Sequence, residues 1–310
     1  LPTAALIADA GHLVEGTDIS QKVVGSVGSS YSVTKEPGLA DLVKKVMTDK
    51  SLSVRVGNPK PADVFIIAVP TPLSAENTPD LSAIADAAGK IALVIKKGNL
   101  VILESTSPVG TSETLKSWIL SHRPDLTTNS FFVAYCPERV LPGNIIYELI
   151  MNDRIVGGVD DQSTQKAVRF YKTFTKGNVL TSNSQTAELA KLSENSYRDL
   201  NIAFANELNE ICGKLNIDVW KLLQLTNKHP RVNILRPGPG VGGHCIAVDP
   251  WFIVDSAQDE SKLIALAREI NDDKPNKVVN KILSEINKFK LKNIACLGLS
   301  YKPNVDDLRE

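Results

Sequence analysis

The stretch ADVFIIAVPT, residues 62–71, decides the fold, and NLVILEST at residues 99–106 repeats its character. Each is an apolar run of strand length, rich in Val and Ile, without polar alternation. Such a run describes a strand buried on both faces. FFVAYCPE at residues 131–138 and RIVGGV at 154–159 read the same way, and residues 12–18 form an earlier strand ending in Gly-Thr-Asp. Helical periodicity occupies the intervals near residues 39–47, 81–95 and 112–120. Strand and helix alternating in this manner predict an α/β fold, a Rossmann-like, doubly wound parallel sheet with helices on both faces. Ligands of such sheets bind at the carboxyl ends of the strands.

From residue 184 the pattern turns helical. Residues 184–215 carry an apolar stripe at Leu189, Leu192, Ile202, Phe204, Leu208 and Ile211. Asp218 is placed to cap a helix over residues 219–227. A Gly/Pro-rich loop follows at 236–249, then more helix from Pro250 to about residue 287. NIACLGL, residues 293–299, reads as a buried strand. The expected division is a sheet domain over 1–182, a central helical domain over 183–288 whose striped helix would serve as a dimer core, and the start of a second α/β domain over 289–310. Residues 1–8 read as a helix already under way, and both ends look cut.

With 310 residues the chain is long for a single core. Its 35 basic residues balance 35 acidic ones, which gives no electrostatic reason to expect nucleic acid or an anionic membrane as partner. No apolar run has bilayer-spanning length. The cysteines Cys136, Cys212, Cys245 and Cys296 show no C-x-x-C spacing, which argues against a zinc site or a disulfide framework and suits a cytoplasmic protein.

Candidate chemistry gathers at a few places. Asp18 ends an early strand, where an acidic residue takes ribose hydroxyls and selects NAD over NADP; a solvated loop aspartate reads the same. The glycine turn that should precede it by about twenty residues would lie upstream of Leu1. Thr71 and Thr106 stand at the carboxyl edges of two buried strands, each able to bond a ligand or simply to serve a turn. Lys191 and Asn195 lie one turn apart on the long helix. With Glu188 and Arg198 near them, they describe either a solvated polar face or groups that steady a negative oxygen. Cys245 follows Gly238, Gly240, Gly242 and Gly243, in a loop where backbone approaches a ligand closely, and Asp249 comes four residues later. A thiol in such a loop suits a nucleophile better than a buried filler, and Lys191 or His244 would favour its thiolate. His229, Arg231 and Arg236 fit phosphate oxygens or plain solvent.

These motifs, VPTP at residues 69–72, ESTSPVG at 104–110, CPERVLPG at 136–143, ELAKLSEN at 188–195, GPGVGGHCIAVDP at 238–250 and YKPNVDDLRE at 301–310, closely resemble the UDP-glucose/GDP-mannose dehydrogenase family over almost the whole chain. Within it, residues 136–143 and 229–250 look most like the UDP-N-acetyl-D-mannosamine dehydrogenases. The resemblance implies an NAD-dependent, four-electron oxidation of a UDP-sugar C6 hydroxyl to the carboxylate, for surface polysaccharide synthesis, by a homodimer or higher oligomer and without a metal. UDP-N-acetylglucosamine and UDP-glucose are alternative substrates. It implies Cys245 as nucleophile and Lys191 and Asn195 as stabilisers of the oxygen. Asp249 and Thr106 would organise the water, with Glu138 as acid/base. Asp18, Thr71, Thr106 and Arg309 would contact NAD. Arg139, Val140, Lys191, Asn195, His229, Arg231, Gly242, Tyr301 and Lys302 would hold the sugar nucleotide, His229 and Arg231 across a dimer. Two rivals are a β-hydroxyacid dehydrogenase, which uses a lysine and no nucleophile, and a non-catalytic nucleotide-sugar-binding module.

Overall fold

The computed structural model describes residues 1–28, 36–141, 143–243 and 245–298. The chain divides into two units, one of Leu1–Thr71 with Asp80–Lys191, the other of Pro72–Pro79 with Leu192 onward.

The first unit is Rossmann-like mixed α/β. It opens with α1 (Pro2–Asp9) and β1 (Val14–Asp18), followed by α2 (Gln21–Gly28), α3 (Leu39–Thr48) and β2 (Leu52–Val56). β1 and β2 pair in parallel. Then come β3 (Val64–Ile67), α4 (Ser82–Ala92), β4 (Leu100–Leu103), α5 (Thr111–His122), β5 (Phe132–Tyr135), α6 (Ile145–Met151), β6 (Arg154–Gly158), α7 (Asp161–Tyr171) and β7 (Val179–Asn183). The last five strands form one sheet in sequence order. Its pairs are parallel except β5 with β6. The wholly parallel sheet expected from sequence is thus broken at one junction. The connection accounts for it: α6 packs chiefly on α1, and an antiparallel neighbour needs no crossover helix to return the chain to the strand's starting end.

Burial explains the unbroken apolar runs. Val101 and Leu103 face one side of the sheet with Phe65, Ile67, Val133 and Tyr135, against α4 and α5. Leu100 and Ile102 face the other with Ala134, Cys136 and Val156, against α7. Each of the four β4 side chains, buried to 1% exposure or less, contributes roughly 1.5–3 kcal/mol.

One buried charge cluster interrupts this core. Tyr171 Oη donates to Glu104 Oε1 at 2.8 Å, and the Arg154 guanidinium lies 5.0 Å from the Tyr171 ring centre. Burial pushes the Glu104 carboxyl up to about 6, although Arg154 and the Tyr171 hydroxyl pull it back. The same burial pushes the Cys136 thiol up to about 12.

The second unit is helical. It holds most of α8 (Ser184–Leu215), then α9 (Val219–Thr226), α10 (Asp249–Ser256) and α11 (Lys262–Phe289). Asp218 caps α9 as expected, accepting from Trp220 N–H at 2.9 Å. α8 and α11 meet through polar groups: Arg268 Nη1 donates to Asp199 at 2.6 Å with both side chains 1% exposed. Leu192 is buried, but Leu189, Phe204 and Ile211 of the predicted stripe are exposed, as are Tyr197 and Leu215. Residues 293–298 form no strand and are exposed, against expectation. A strand exists only by pairing, and none of the described residues pairs with this segment. The rest of that predicted domain, residues 299–310, lies outside the described residues.

Two substitutions test this packing. A Cβ on Gly157 of β6 would meet Asn183 O at 2.2 Å and Ala187 Cβ at 2.7 Å. We expect Gly157→Ala to destabilise the fold by about 3 kcal/mol or more, read as a lowered midpoint in chemical denaturation. Glu104 gives a pH signature. A carboxyl raised from 4.5 to about 6 holds its proton more tightly folded than unfolded. Its contribution therefore favours the fold below 4.5 and is lost as pH rises towards 6. Glu104→Gln lacks this loss. We expect the variant to gain roughly 2 kcal/mol on wild type between those pH values, measured as the difference of two denaturation series.

Candidate active site

In the first unit the strand ends present the expected residues singly and in pairs. Asp18 closes β1, half-buried, and its Oδ1 accepts from Ser20 N–H at 2.7 Å, a local turn that orients the carboxylate. Thr71 and Thr106 follow β3 and β4 and are brought together: Thr71 Oγ1 donates to Thr106 O at 2.7 Å. Ser105 fastens the same edge, accepting from Val69 N–H at 2.9 Å and donating to Val69 O at 2.8 Å. Asp18, Thr71 and Thr106 therefore stand at the carboxyl ends of parallel strands, where this class of sheet binds a dinucleotide.

Glu138 follows β5. Its Oε1 accepts from the backbone N–H of Arg139 at 2.7 Å and of Val140 at 3.1 Å. Oε2 lies 3.5 Å from Arg154 Nη2. One carboxylate oxygen thus shapes the loop that carries Arg139 and Val140. Lys191 is half-buried on α8.

Glu188, on the same helix, has a solvated polar face as one of its two sequence readings. It is instead fully buried, and accepts from Gly110 N–H at 2.7 Å, Ser112 N–H at 2.8 Å and Ser112 Oγ at 2.7 Å. The carboxylate satisfies orphan donors at the N-terminus of α5, where negative charge is favoured. Arg198 is exposed, as a solvated face requires.

The second unit carries the thiol. Cys245 is exposed, whereas Cys136 and Cys212 are buried. Its carbonyl accepts from Val248 N–H at 3.2 Å and Asp249 N–H at 2.9 Å. The cysteine therefore opens a helical turn that runs into α10, whose amino end favours negative charge nearby. Asp249, the first residue of α10, is 3% exposed, and Asn195 Nδ2 donates to its Oδ2 at 2.5 Å. Cys245, Asp249 and Asn195 thus form one connected group. Gly242 lies half-buried just before it.

His229 and Arg231 are both exposed at the end of α9, and Arg231 N–H donates to His229 Nδ1 at 3.3 Å. Arg236 stacks on Trp220, 5.1 Å from its ring centre. His244, Tyr301, Lys302 and Arg309 lie outside the described residues.

Sequence reasoning missed the groups that hold this site. Asp199, Asn206, Arg268 and Asn271 are buried at 1% exposure or less. The signal was present: Asn195, Asp199 and Asn206 recur at four and seven residues, one face of a helix.

Comparison with known proteins matches residues 1–175 to the NAD binding domain of the UDP-glucose/GDP-mannose dehydrogenase family, and residues 185–273 to its central domain. The Campylobacter jejuni UDP-N-acetyl-D-mannosamine dehydrogenase is 52% identical, covering all of this chain and 78% of its own length. A Ralstonia nicotianae NDP-N-acetyl-D-galactosaminuronic acid dehydrogenase is 49% identical, covering all of this chain and 75% of its own. The structure of the Pyrococcus horikoshii UDP-D-ManNAc dehydrogenase matches with a TM-score of 0.92 at 38% identity, covering 99% of this chain and 75% of that one. Two domains matched in order, and such identity along the whole chain, leave one conclusion: it belongs to the UDP-glucose/GDP-mannose dehydrogenase family.

Proposed function

We propose that this chain oxidises the C6 hydroxyl of a UDP-sugar, UDP-N-acetyl-D-mannosamine before others, to the carboxylate through a covalent intermediate on Cys245, for surface polysaccharide synthesis. The observation that carries the reading is the exposed thiol at the turn into α10, one residue group away from the buried Asp249–Asn195 pair. The domains expected at 1–182, 183–288 and 289–310 would be the NAD-binding, central and sugar-nucleotide-binding parts.

Asp18, Thr71 and Thr106 suit NAD by position and donor chemistry, with Arg309 joining them. NAD, when bound, supplies the acceptor for each hydride. The chain's own groups do the rest. The C6 alcohol gives up a proton and a hydride and becomes an aldehyde. Cys245 Sγ adds to the carbonyl carbon, and the oxygen takes the thiol proton, giving a thiohemiacetal. Loss of a second hydride and that proton leaves a thioester. Water then attacks, the C–S bond breaks, and carboxylate and thiol are released. Covalent capture divides a hard oxidation into steps.

Lys191 and Asn195 steady the negative oxygen. An amide carries two N–H donors, so Asn195 holds Asp249 with one and keeps the other for substrate. Asp249 and Thr106 organise the water, and Glu138 handles protons through Oε2. Arg139, Val140, Gly242, His229, Arg231, Tyr301 and Lys302 hold the sugar nucleotide, His229 and Arg231 from a partner subunit. The exposed apolar face of α8, with Tyr197, Phe204, Ile211 and Leu215, supports a dimer. Four free cysteines suit a reducing compartment, which supports the cytoplasm. Among the described residues no helix is long and apolar enough to cross a membrane.

An assay of UDP-N-acetylmannosamine, UDP-N-acetylgalactosamine, UDP-N-acetylglucosamine and UDP-glucose side by side, counting NADH per sugar, tests the reading. Two NADH per sugar is the expected count, fastest with the mannosamine derivative; a count of one refutes the four-electron route. Cys245→Ala should lower carboxylate formation on the order of 10⁴-fold; a variant still making acid would show that the second oxidation needs no thioester, and a wild type that stops after one oxidation, with the variant equally active, would place the chain with single-oxidation dehydrogenases. Phe204→Asp is expected to convert dimer to monomer in light scattering, with a monomeric wild type overturning the α8 interface.

A further inference from the structure

The loop before Cys245 has little structure of its own. Residues 232–243 form no helix or strand, and four glycines make the segment costly to order. What seats it comes from α8 and α11. Asn206 Oδ1 accepts from Gly238 N–H at 3.0 Å. Asn206 Nδ2 donates to Asn271 Oδ1 at 2.9 Å. Asn271 Nδ2 donates to Asp199 Oδ1 at 2.8 Å and to Asp199 O at 3.1 Å. Asp199 takes its charge partner from Arg268. Two residues past Gly238, a Cβ on Gly240 would meet Pro275 Cγ at 3.0 Å, so the loop also lies directly on the proline of α11.

The chain of amides has one direction. A carboxylate only accepts, so the Asn271 NH₂ must face Asp199 and its oxygen must face Asn206. The Asn206 NH₂ must then face Asn271, which leaves the Asn206 oxygen for Gly238. Neither amide can rotate without losing a buried hydrogen bond, and an unmade one there costs more than a made one gains. The same face of α8 carries Asn195, which holds Asp249. Cys245 therefore sits between two anchors on one helix, at Gly238 before it and at Asp249 after it.

We infer that Asn206 and Asn271, oriented by the Asp199–Arg268 pair, are positioning residues for the Cys245 thiol, setting whether the aldehyde is captured before it escapes. Neither amide touches substrate. The inference rests on the covalent route proposed above. A displacement of about 1 Å at a reacting atom lowers a rate by as much as ~100-fold, and aldehyde capture is the step that depends on where the sulfur sits. Loss of the anchor should show as incomplete oxidation more than as weaker substrate binding.

The test compares the full wild-type chain with Asn206→Leu, which removes the acceptor, and Asn206→Ser, which restores a smaller one. For Asn206→Leu we expect NADH per sugar to fall from two towards one, hydroxylamine to trap free aldehyde, and KM for the sugar nucleotide to hold. Asn206→Ser should return part of the second NADH. A folded Asn206→Leu that still yields two NADH per sugar overturns the inference. If that variant does not fold, Gly240→Ala, which pushes the loop off Pro275, is read by the same counts with the same consequence. The rate of Cys245 alkylation by iodoacetamide is measured in every variant and needs no turnover. A wild type giving one NADH per sugar refutes the covalent route itself. An alkylation rate unchanged from wild type in a folded Asn206→Leu refutes the positioning role alone.

Discussion

Arg268 and Asp199 are each 1% exposed and 2.6 Å apart, and charges so placed have no water to fall back on. Moving either ion alone out of water costs several kcal/mol, so the two enter the interior together or not at all. Burial raises the Asp199 carboxyl above its ordinary value, while Arg268 and the Asn271 amide pull it down. The pair is not fully satisfied: Asp199 Oδ2 and Arg268 Nε have no hydrogen-bond partner among the described residues. Such a pair adds little stability over a hydrocarbon contact of equal volume. Its effect is selective. Sliding α8 along α11 by one turn would leave Asp199 buried without its cation and Arg268 with only Asp272 of its own helix, so the pairing favours one register of the two longest helices.

That register decides where the glycine loop lies. A segment without a ladder of its own must be held by side chains, and the second unit supplies them repeatedly. At the end of α9 the Asn227 amide bonds both ways with the Ile234 backbone, accepting at 2.8 Å and donating at 2.9 Å, in place of a paired strand. Asn206 and Asn195 then hold the two ends of the segment that bears Cys245. The distribution of polarity on α8 follows. Its inward face is given to amides and a carboxylate, and its large apolar side chains Phe204 and Ile211 are left outside.

This inversion shows what the sequence makes legible and what it withholds. The doubly covered strands were plain, because burial on both faces demands apolar side chains at every position, as in β3 and β4. β2 and β7 were not. Their residues, LSVRV and VLTSN, are partly exposed and mixed in polarity, so pairing with a neighbour defines them where composition does not. The reversed β5–β6 junction depends on where α6 packs, which no local pattern encodes. In the site, Cys245 and Asp249 stood out because glycines and a thiol together fit no ordinary element. Asp199, Asn206 and Glu188 were hidden by a real ambiguity. Helical spacing tells which polar residues share a face, but whether that face meets solvent or another helix is decided by tertiary packing.

The four thiols show the same division between composition and placement. Chemically they are equal, and their order in the chain says nothing of reactivity. Cys136 lies at the end of β5 among hydrocarbon, and desolvation there outweighs Arg154, whose Nη1 is 3.7 Å from its sulfur. A thiolate at that position is a rare species however basic its neighbour. Cys212 is packed beneath α9 with Val219 and Leu223 and meets no solute. Cys296 is exposed too, but in a segment without helix or strand, whereas Cys245 combines exposure with a helix amino end and an anchored turn. A nucleophile must be wet enough to ionise and fixed enough to strike. The buried cysteines fail the first requirement, and an exposed thiol on an unanchored glycine loop would fail the second. Charge shut inside a helix pair is thus what lets an otherwise unstructured loop keep an accessible sulfur in one place.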